Sequence, residues 1–140
     1  MSWLYNGAVF TEDMIPENAF GFIYIMGAII DGKSVSYVGK KNFYAEVKTR
    51  LSKKAMPTDK RKKTYKRVRK CTYQNYFSSN EALKQAHKDG VHIKREIIKI
   101  CYTKSELSYQ EVKYQFMFGV LESESWLNGN ILGKFYKQNK

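Results

Sequence analysis

The 140-residue chain carries 25 Lys and Arg against 13 Asp and Glu, a formal net charge of +12, and is 43% hydrophobic and 15% aromatic. Its length is that of one domain, long enough to bury a core without disulfide help, and its apolar share excludes a disordered chain. Cys71 and Cys101 stand without CxxC spacing or a nearby pair of histidines, which excludes a zinc module and a disulfide framework and leaves them as small buried hydrophobes in a reducing compartment.

Residues 1–14 lack a basic start followed by an apolar core, so no signal peptide is expected. The longest apolar run, residues 19–30, is too short to span a bilayer, and the chain reads as soluble and intracellular with no membrane partner. That run ends at Asp31-Gly32, and residues 33–39 then alternate apolar and polar. Asp-Gly between two such runs is a strong hairpin signal, because a type I′ turn needs positive φ at both central residues. A two-residue turn sets Ile30 opposite Lys33 and Tyr37 opposite Met26. Since Met26 and Tyr24 share a face, Tyr24 and Tyr37 should project from the same side of the sheet.

Residues 42–51 are expected to start a helix. Residues 55–63, with Pro57 and almost no apolar side chain, read as an exposed loop, and residues 65–76 interleave basic and aromatic types. Ser78 and Glu81 form a capping box for a helix running to His87 and closed by Gly90. Residues 91–102, rich in β-branched side chains, make a third strand. Thr103 or Ser105 then caps a longer helix reaching about Leu121.

The charge is not spread evenly. Residues 48–70 hold twelve Lys and Arg against Asp59 alone, a local charge of +11, while the rest of the chain is close to neutral. Such a segment suits a polyanion, because each cation set against a phosphate releases a condensed counterion. A solvated basic loop is the alternative. On the last helix, Leu107, Tyr114, Phe118 and Leu121 form one stripe with Glu111 among them. A carboxylate there needs a cation or a hydrogen-bonding partner, or it sits at the rim and meets one of the many lysines. His87 and His92 read as surface residues, Trp3 and Trp126 as packing residues. Tyr73, Tyr76 and Phe77 could stack on bases or pack internally.

Taken together, Phe22-Ile23-Tyr24 and Tyr37-Val38-Gly39, then a basic segment with arginines, then Glu111 and finally Asn128 resemble the GIY-YIG nuclease superfamily. More narrowly, the stretches Gly21-Phe22-Ile23-Tyr24, Tyr37-Val38-Gly39-Lys40-Lys41, Tyr76-Phe77-Ser78-Ser79, Lys94-Arg95-Glu96-Ile97, Glu106-Leu107-Ser108-Tyr109-Gln110-Glu111 and Val120-Leu121 before Asn128-Gly129 resemble the Seg-type phage proteins of that superfamily. Phe22 stands where the superfamily name has Gly, and Cys71-Thr72-Tyr73 where relatives often carry Ser-x-Trp.

The resemblance implies an α+β fold with a small central antiparallel three-stranded sheet flanked by helices. It implies one domain over residues 1–140, with its core at about 19–130 and a basic insert at 48–70. It also implies a metal-dependent endonuclease that hydrolyses DNA phosphodiester bonds, phage-encoded and acting in the cytoplasm of an infected host. Mg²⁺ or Mn²⁺ would be held by Glu111 as its one protein ligand. Tyr24 would be general base or water-positioning group, Tyr37 its partner near the phosphate, and Asn128 a holder of local geometry. A superfamily arginine stabilises the pentavalent phosphate; Arg50 fits a short connection after the second motif, Arg67 or Arg69 a lengthened one, and Arg50 and Arg67 stay equally open. Lys40, Lys41, Arg61, Lys62, Lys63, Lys66, Arg69 and Lys70 would bind double-stranded DNA, with a homodimer left open. The alternative is a non-catalytic nucleic-acid-binding or host-interaction protein on the same fold.

Overall fold

The turn at Asp31-Gly32 organises the molecule. In this computed structural model, which describes the backbone of residues 2–50 and 65–137 and the side chains of residues 2–46 and 69–137, Asp31 and Gly32 take φ of 51° and 76°. These are the type I′ values that match the twist of two antiparallel strands. The strands they join are β3 (Gly21–Ile30) and β4 (Lys33–Asn42), with Ile30 opposite Lys33 and Met26 opposite Tyr37. The expected register holds.

The sheet itself corrects the expectation of three strands. It has five, in the order β2-β1-β7-β3-β4, with β1 (Trp3–Tyr5), β2 (Ala8–Val9) and β7 (Lys94–Cys101) beyond β3. The antiparallel trio β4-β3-β7 is present inside it, but β1 adds to β7 in parallel, Leu4 opposite Glu96. Parallel pairing across some 90 residues leaves no local signal, and a three-residue strand is too short to show alternation. The turn that folds β2 back on β1 was legible: Asn6-Gly7, with φ of 52° and 81°, is a second type I′ turn. Trp3 and Phe10 are buried with the rest of the core, so the core reaches back well before residue 19.

β3 lies between β4 and β7 and is covered on both faces, which accounts for its continuous apolar run. Phe22, Tyr24, Met26 and Ala28 enter one cluster with Trp3, Phe43 and Tyr73, while Ile23 and Ile25 enter the other with Leu107 and Val120. Beside Tyr24 the pairing with β7 slips by one residue, so that Ile23 faces Lys99 while Tyr24 faces Ile97. This bulge reverses the alternation of β7 and returns Ile100 to the same cluster as Ile93 and Ile97.

Residues after β4 do not begin a helix. They form β5 (Tyr44–Arg50), which pairs antiparallel with β6 (Tyr65–Cys71) in a separate two-stranded ribbon. Once a partner strand is present, the alternation Ala45, Val47, Thr49 against charged neighbours satisfies a strand better than a helix. The loop expected at residues 55–63 lies outside the described residues.

Helix α1 (Glu81–Lys88) is capped by Asn80, whose side chain accepts from the N–H groups of Ala82 and Leu83. Ser78 is therefore not the cap; its Oγ accepts from the N–H of Asn80, two residues later. The helix closes on Gly90, φ 81°, with Val91 N–H donating to Ala86 O and Gly90 N–H to His87 O, a Schellman motif. In α2 (Lys104–Met117), Thr103 rather than Ser105 is the cap: its Oγ1 accepts from Glu106 N–H, and the Glu106 carboxylate accepts from Tyr102 N–H. The same C-terminal motif at Gly119, φ 60°, stops α2 short of Leu121. After it, residues 125–128 run along the outer edge of β4, Ser36 N–H donating to Ser125 O and Leu127 N–H to Ser36 O. A small hairpin of β8 (Asn130–Ile131) and β9 (Phe135–Tyr136) follows.

Candidate active site

The site is built on the β3–β4 pair. Tyr24 and Tyr37 do share a face, their rings 6.3 Å apart, as the register requires. Tyr24 is buried, with Trp3 at 5.7 Å and Phe22 at 6.3 Å. Its ring folds across Gly39 of the second motif: a Cβ there would sit 2.5 Å from the Tyr24 hydroxyl and 2.6 Å from Cζ. The glycine is needed for room, and its backbone is unstrained.

Glu111 rises from α2, which packs against the other face of the sheet. It comes near Tyr37 because β4 is the edge strand. The half-buried carboxylate meets Lys40 on that edge; burial pushes the Tyr37 phenol up, and the Glu111 charge adds to that rise. Burial raises the Glu111 carboxyl above the usual carboxylate range, against which the Lys40 ammonium and a hydrogen bond from the Lys40 backbone pull it down. Lys40 is also tied to α2 by its ammonium, which donates to Ser108 Oγ at 3.1 Å.

Asn128 is buried and grips the same strand from outside. Its Oδ1 accepts from Val38 N–H at 3.0 Å and its Nδ2 donates to Val38 O at 2.8 Å. A side-chain amide is the group that can satisfy both backbone atoms of one residue at a sheet edge. It thereby fixes the stretch between Tyr37 and Gly39.

Four further residues belong to the site, none of which the sequence marked for it. The Tyr76 hydroxyl lies 3.2 Å from that of Tyr24, and the Lys41 ammonium sits 5.0 Å from the Tyr76 ring centre. Tyr76 is thus part of the tyrosine cluster, a role beyond stacking or packing. Arg95, buried on β7, holds the loop that carries it: Nη1 donates to Gln74 O at 2.8 Å and Tyr76 O at 2.9 Å, while the guanidinium lies over the rings of Trp3 and Phe77. Ser78 and Ser79 face the Tyr24 and Tyr37 hydroxyls. The one available signal was Arg95 itself, a cation in phase with Ile93 and Ile97 on a buried strand face.

The candidate arginines fall on the ribbon, not on a helix. Register sets Arg50 opposite Tyr65 and Arg67 opposite Lys48; the side chains of both lie outside the described residues. Arg69 is exposed, its guanidinium 4.0 Å from the Tyr44 ring centre. Among the DNA-binding candidates, Lys40, Arg69 and Lys70 are exposed and Lys41 half-buried, whereas Arg61, Lys62, Lys63 and the Lys66 side chain lie outside the described residues. His87 stacks on Phe77 at the surface, Cys101 is buried, and Cys71 is only half-buried.

Burial, then the neighbouring Tyr76 phenol, drives the Tyr24 phenol far above its ordinary value, with Ser78 opposing. At neutral pH its oxygen therefore keeps its proton. The consequence for stability has a definite sign. A group whose folded value is raised stabilises the fold below its unfolded value of about 10 and loses that contribution as pH rises. Between pH 9 and 11, wild type should lose roughly 1.4 kcal/mol more than Tyr24→Phe, read from urea midpoints. Equal losses would mean that Tyr24 ionises freely.

A hard cation suits this donor set on one condition. Among the described residues no group of three or more His, Cys, Asp and Glu converges, so Glu111 offers a single carboxylate. Mg²⁺ dehydrates reluctantly and is commonly held by one or two carboxylates with water completing its shell.

Residues 3–131 match a family model described as "Putative endonuclease segE, GIY-YIG domain". Comparisons with curated proteins and with solved structures each found no match.

Proposed function

Since the chain belongs to the SegE-type GIY-YIG endonuclease domain family, we propose that it hydrolyses phosphodiester bonds of double-stranded DNA with the help of Mg²⁺ or Mn²⁺. The observation that carries this is the closeness of Tyr24 to Tyr37 and of Tyr37 to the Glu111 charge, with Asn128 clamping the residue between the second tyrosine and Gly39. The Seg-type likeness is the support for a phage-encoded enzyme.

Glu111 would hold the cation, which when bound supplies positive charge to the scissile phosphate. Tyr24, a protonated phenol at neutral pH, serves best as the group that orients the attacking water; of the two roles expected for it, positioning fits its buried surroundings. Tyr37, half-buried and nearer the opening, donates to the phosphate. Lys41 lies over the Tyr76 ring and adds positive charge to that side of the cluster, and Lys40 balances Glu111 when no cation is present. An arginine from the ribbon would stabilise the charge that develops on phosphorus, since its fixed fork matches phosphate oxygens.

The direct test is incubation with supercoiled and with linear DNA in Mg²⁺ or EDTA. Nicked or linear products in Mg²⁺ alone are expected; intact DNA under both conditions would overturn the proposal. The basic segment gives a separate expectation. Replacing Arg61, Lys62, Lys63, Lys66 and Lys70 with Gln removes about 3–5 phosphate contacts, and the log–log salt slope of binding should fall by roughly 2.7–4.5. An unchanged slope would take the segment out of the DNA interface.

A further inference from the structure

We propose that Tyr76 is a positioning residue: its oxygen accepts the proton of the Tyr24 hydroxyl and so leaves a Tyr24 lone pair facing the attacking water. This rests on the nuclease reading, in which Tyr24 orients that water. A water attacks phosphorus through its own lone pair, so it must donate a hydrogen to the group that holds it. Tyr24 can accept that hydrogen only if its own proton points elsewhere. The ring cannot turn to arrange this, because Trp3 and Phe22 pack against it and Gly39 lies beneath it. What stays free is rotation of the O–H, and the neighbouring hydroxyls decide it.

The Tyr76 hydroxyl stands 3.2 Å from that of Tyr24, and the two rings meet edge to face at 5.7 Å. Burial is the main cause that raises the Tyr24 phenol; Tyr76 raises it further, by charge and as an acceptor of its proton, whereas Ser78 lowers it, as a donor does. The Ser78 oxygen already accepts from Asn80 N–H at 3.1 Å, which leaves its own proton for Tyr24. Tyr24 thus receives from Ser78 and gives to Tyr76. An acceptor directs a proton only if it is itself fixed. Tyr76 N–H donates to Tyr73 O at 3.1 Å, closing the turn, and Trp3 Nε1 donates to the same carbonyl at 2.9 Å. Arg95 Nη1 holds the Gln74 and Tyr76 carbonyls, and the Lys41 ammonium lies over the Tyr76 ring. Trp3 therefore both packs on Tyr24 and pins the turn that brings Tyr76 to it.

Tyr76→Phe keeps the ring and its contacts with Tyr24 and Lys41 and removes the acceptor alone. The Tyr24 oxygen stays in place while its proton turns toward the water, so the loss is that of one oriented hydrogen bond. Single-turnover cleavage at saturating DNA in Mg²⁺ should fall about 10-fold or more, while binding to a linear duplex in EDTA stays within about 2-fold of wild type. Adding Tyr76→Phe to Tyr24→Phe should slow cleavage no further, since no hydroxyl is left to orient. Unchanged cleavage by Tyr76→Phe, a rate loss that follows weakened binding, or losses that multiply in the double variant overturns the proposal. Melting temperatures of the same variants read the bond without any cleavage. Each single substitution should lower Tm by roughly 2–6 °C, and the double variant should melt no lower than the less stable single. Additive losses in Tm also overturn the proposal. Coupling in Tm without cleavage by wild type in Mg²⁺ overturns the nuclease reading, and with it the role of Tyr76, but leaves the bond itself standing.

Discussion

Glu111→Gln should reduce DNA cleavage in Mg²⁺ by at least ~10²-fold, about 2.7 kcal/mol of transition-state stabilisation. The substitution keeps the size of the side chain and its hydrogen-bonding atoms but removes the charge that would hold a hard cation. Folding should be unharmed. Burial already disfavours the Glu111 carboxylate, as its raised pKa shows, so a neutral amide leaves the melting temperature equal or slightly higher. DNA binding in EDTA should be retained. If Glu111 were only a rim carboxylate paired with Lys40, activity would follow stability and both would be nearly unchanged. Wild-type cleavage by this variant would remove the metal site from the mechanism.

Gly39→Ala should be nearly as damaging, for a steric reason. The added methyl would lie 2.5 Å from the Tyr24 hydroxyl, and the ring cannot retreat, because Trp3, Phe22 and Tyr76 surround it. Overpacking of this kind costs about 1–3 kcal/mol, roughly 3–12 °C in Tm for a chain of this size. Displacing the phenol by even 1 Å should lower cleavage by about 10²-fold. Gly27→Ala on the same strand pair is the control: the nearest atom to its Cβ is Val35 O at 3.7 Å, an ordinary contact, so activity should be kept. Full activity of Gly39→Ala, measured well below its Tm, would show that the Tyr24 phenol does not work where its packing places it.

Gly39 also shows how differently sequence and structure informed the site. The sequence could place Tyr24 and Tyr37 on one face because a two-residue turn and a side-chain period of two leave no freedom in a hairpin. The helix caps at Thr103 and Gly90, and the strand after α1, were legible for the same reason: each is decided by residues within a few positions. Local signals were also misread or overlooked. Asn6-Gly7 announced β2 as plainly as Asp31-Gly32 announced β4, and the periodic stripe that carried α2 to Leu121 ran past a glycine that ends the helix.

What remained was settled by contacts between distant residues. Residues 44–50 become a strand only because residues 65–71 pair with them; by themselves they read as the start of a helix. Arg95, in the sequence one more cation in a basic chain, is buried against Trp3 and Phe77 to hold the loop of Tyr76, and its partners lie 18 residues away or further. Asn128 finds its two hydrogen bonds 90 residues upstream. Glu111 comes near Tyr37 from the opposite face of the sheet only because β4 is its last strand. The sequence by itself determined the tyrosine pair, the basic segment and the residue types of the site, since hairpin register and charge are local properties. Only the tertiary structure decided that Tyr76 and Arg95 belong with them and that the basic residues flank a ribbon, because which strand ends a sheet and which loop closes over it depend on the packing of the whole chain.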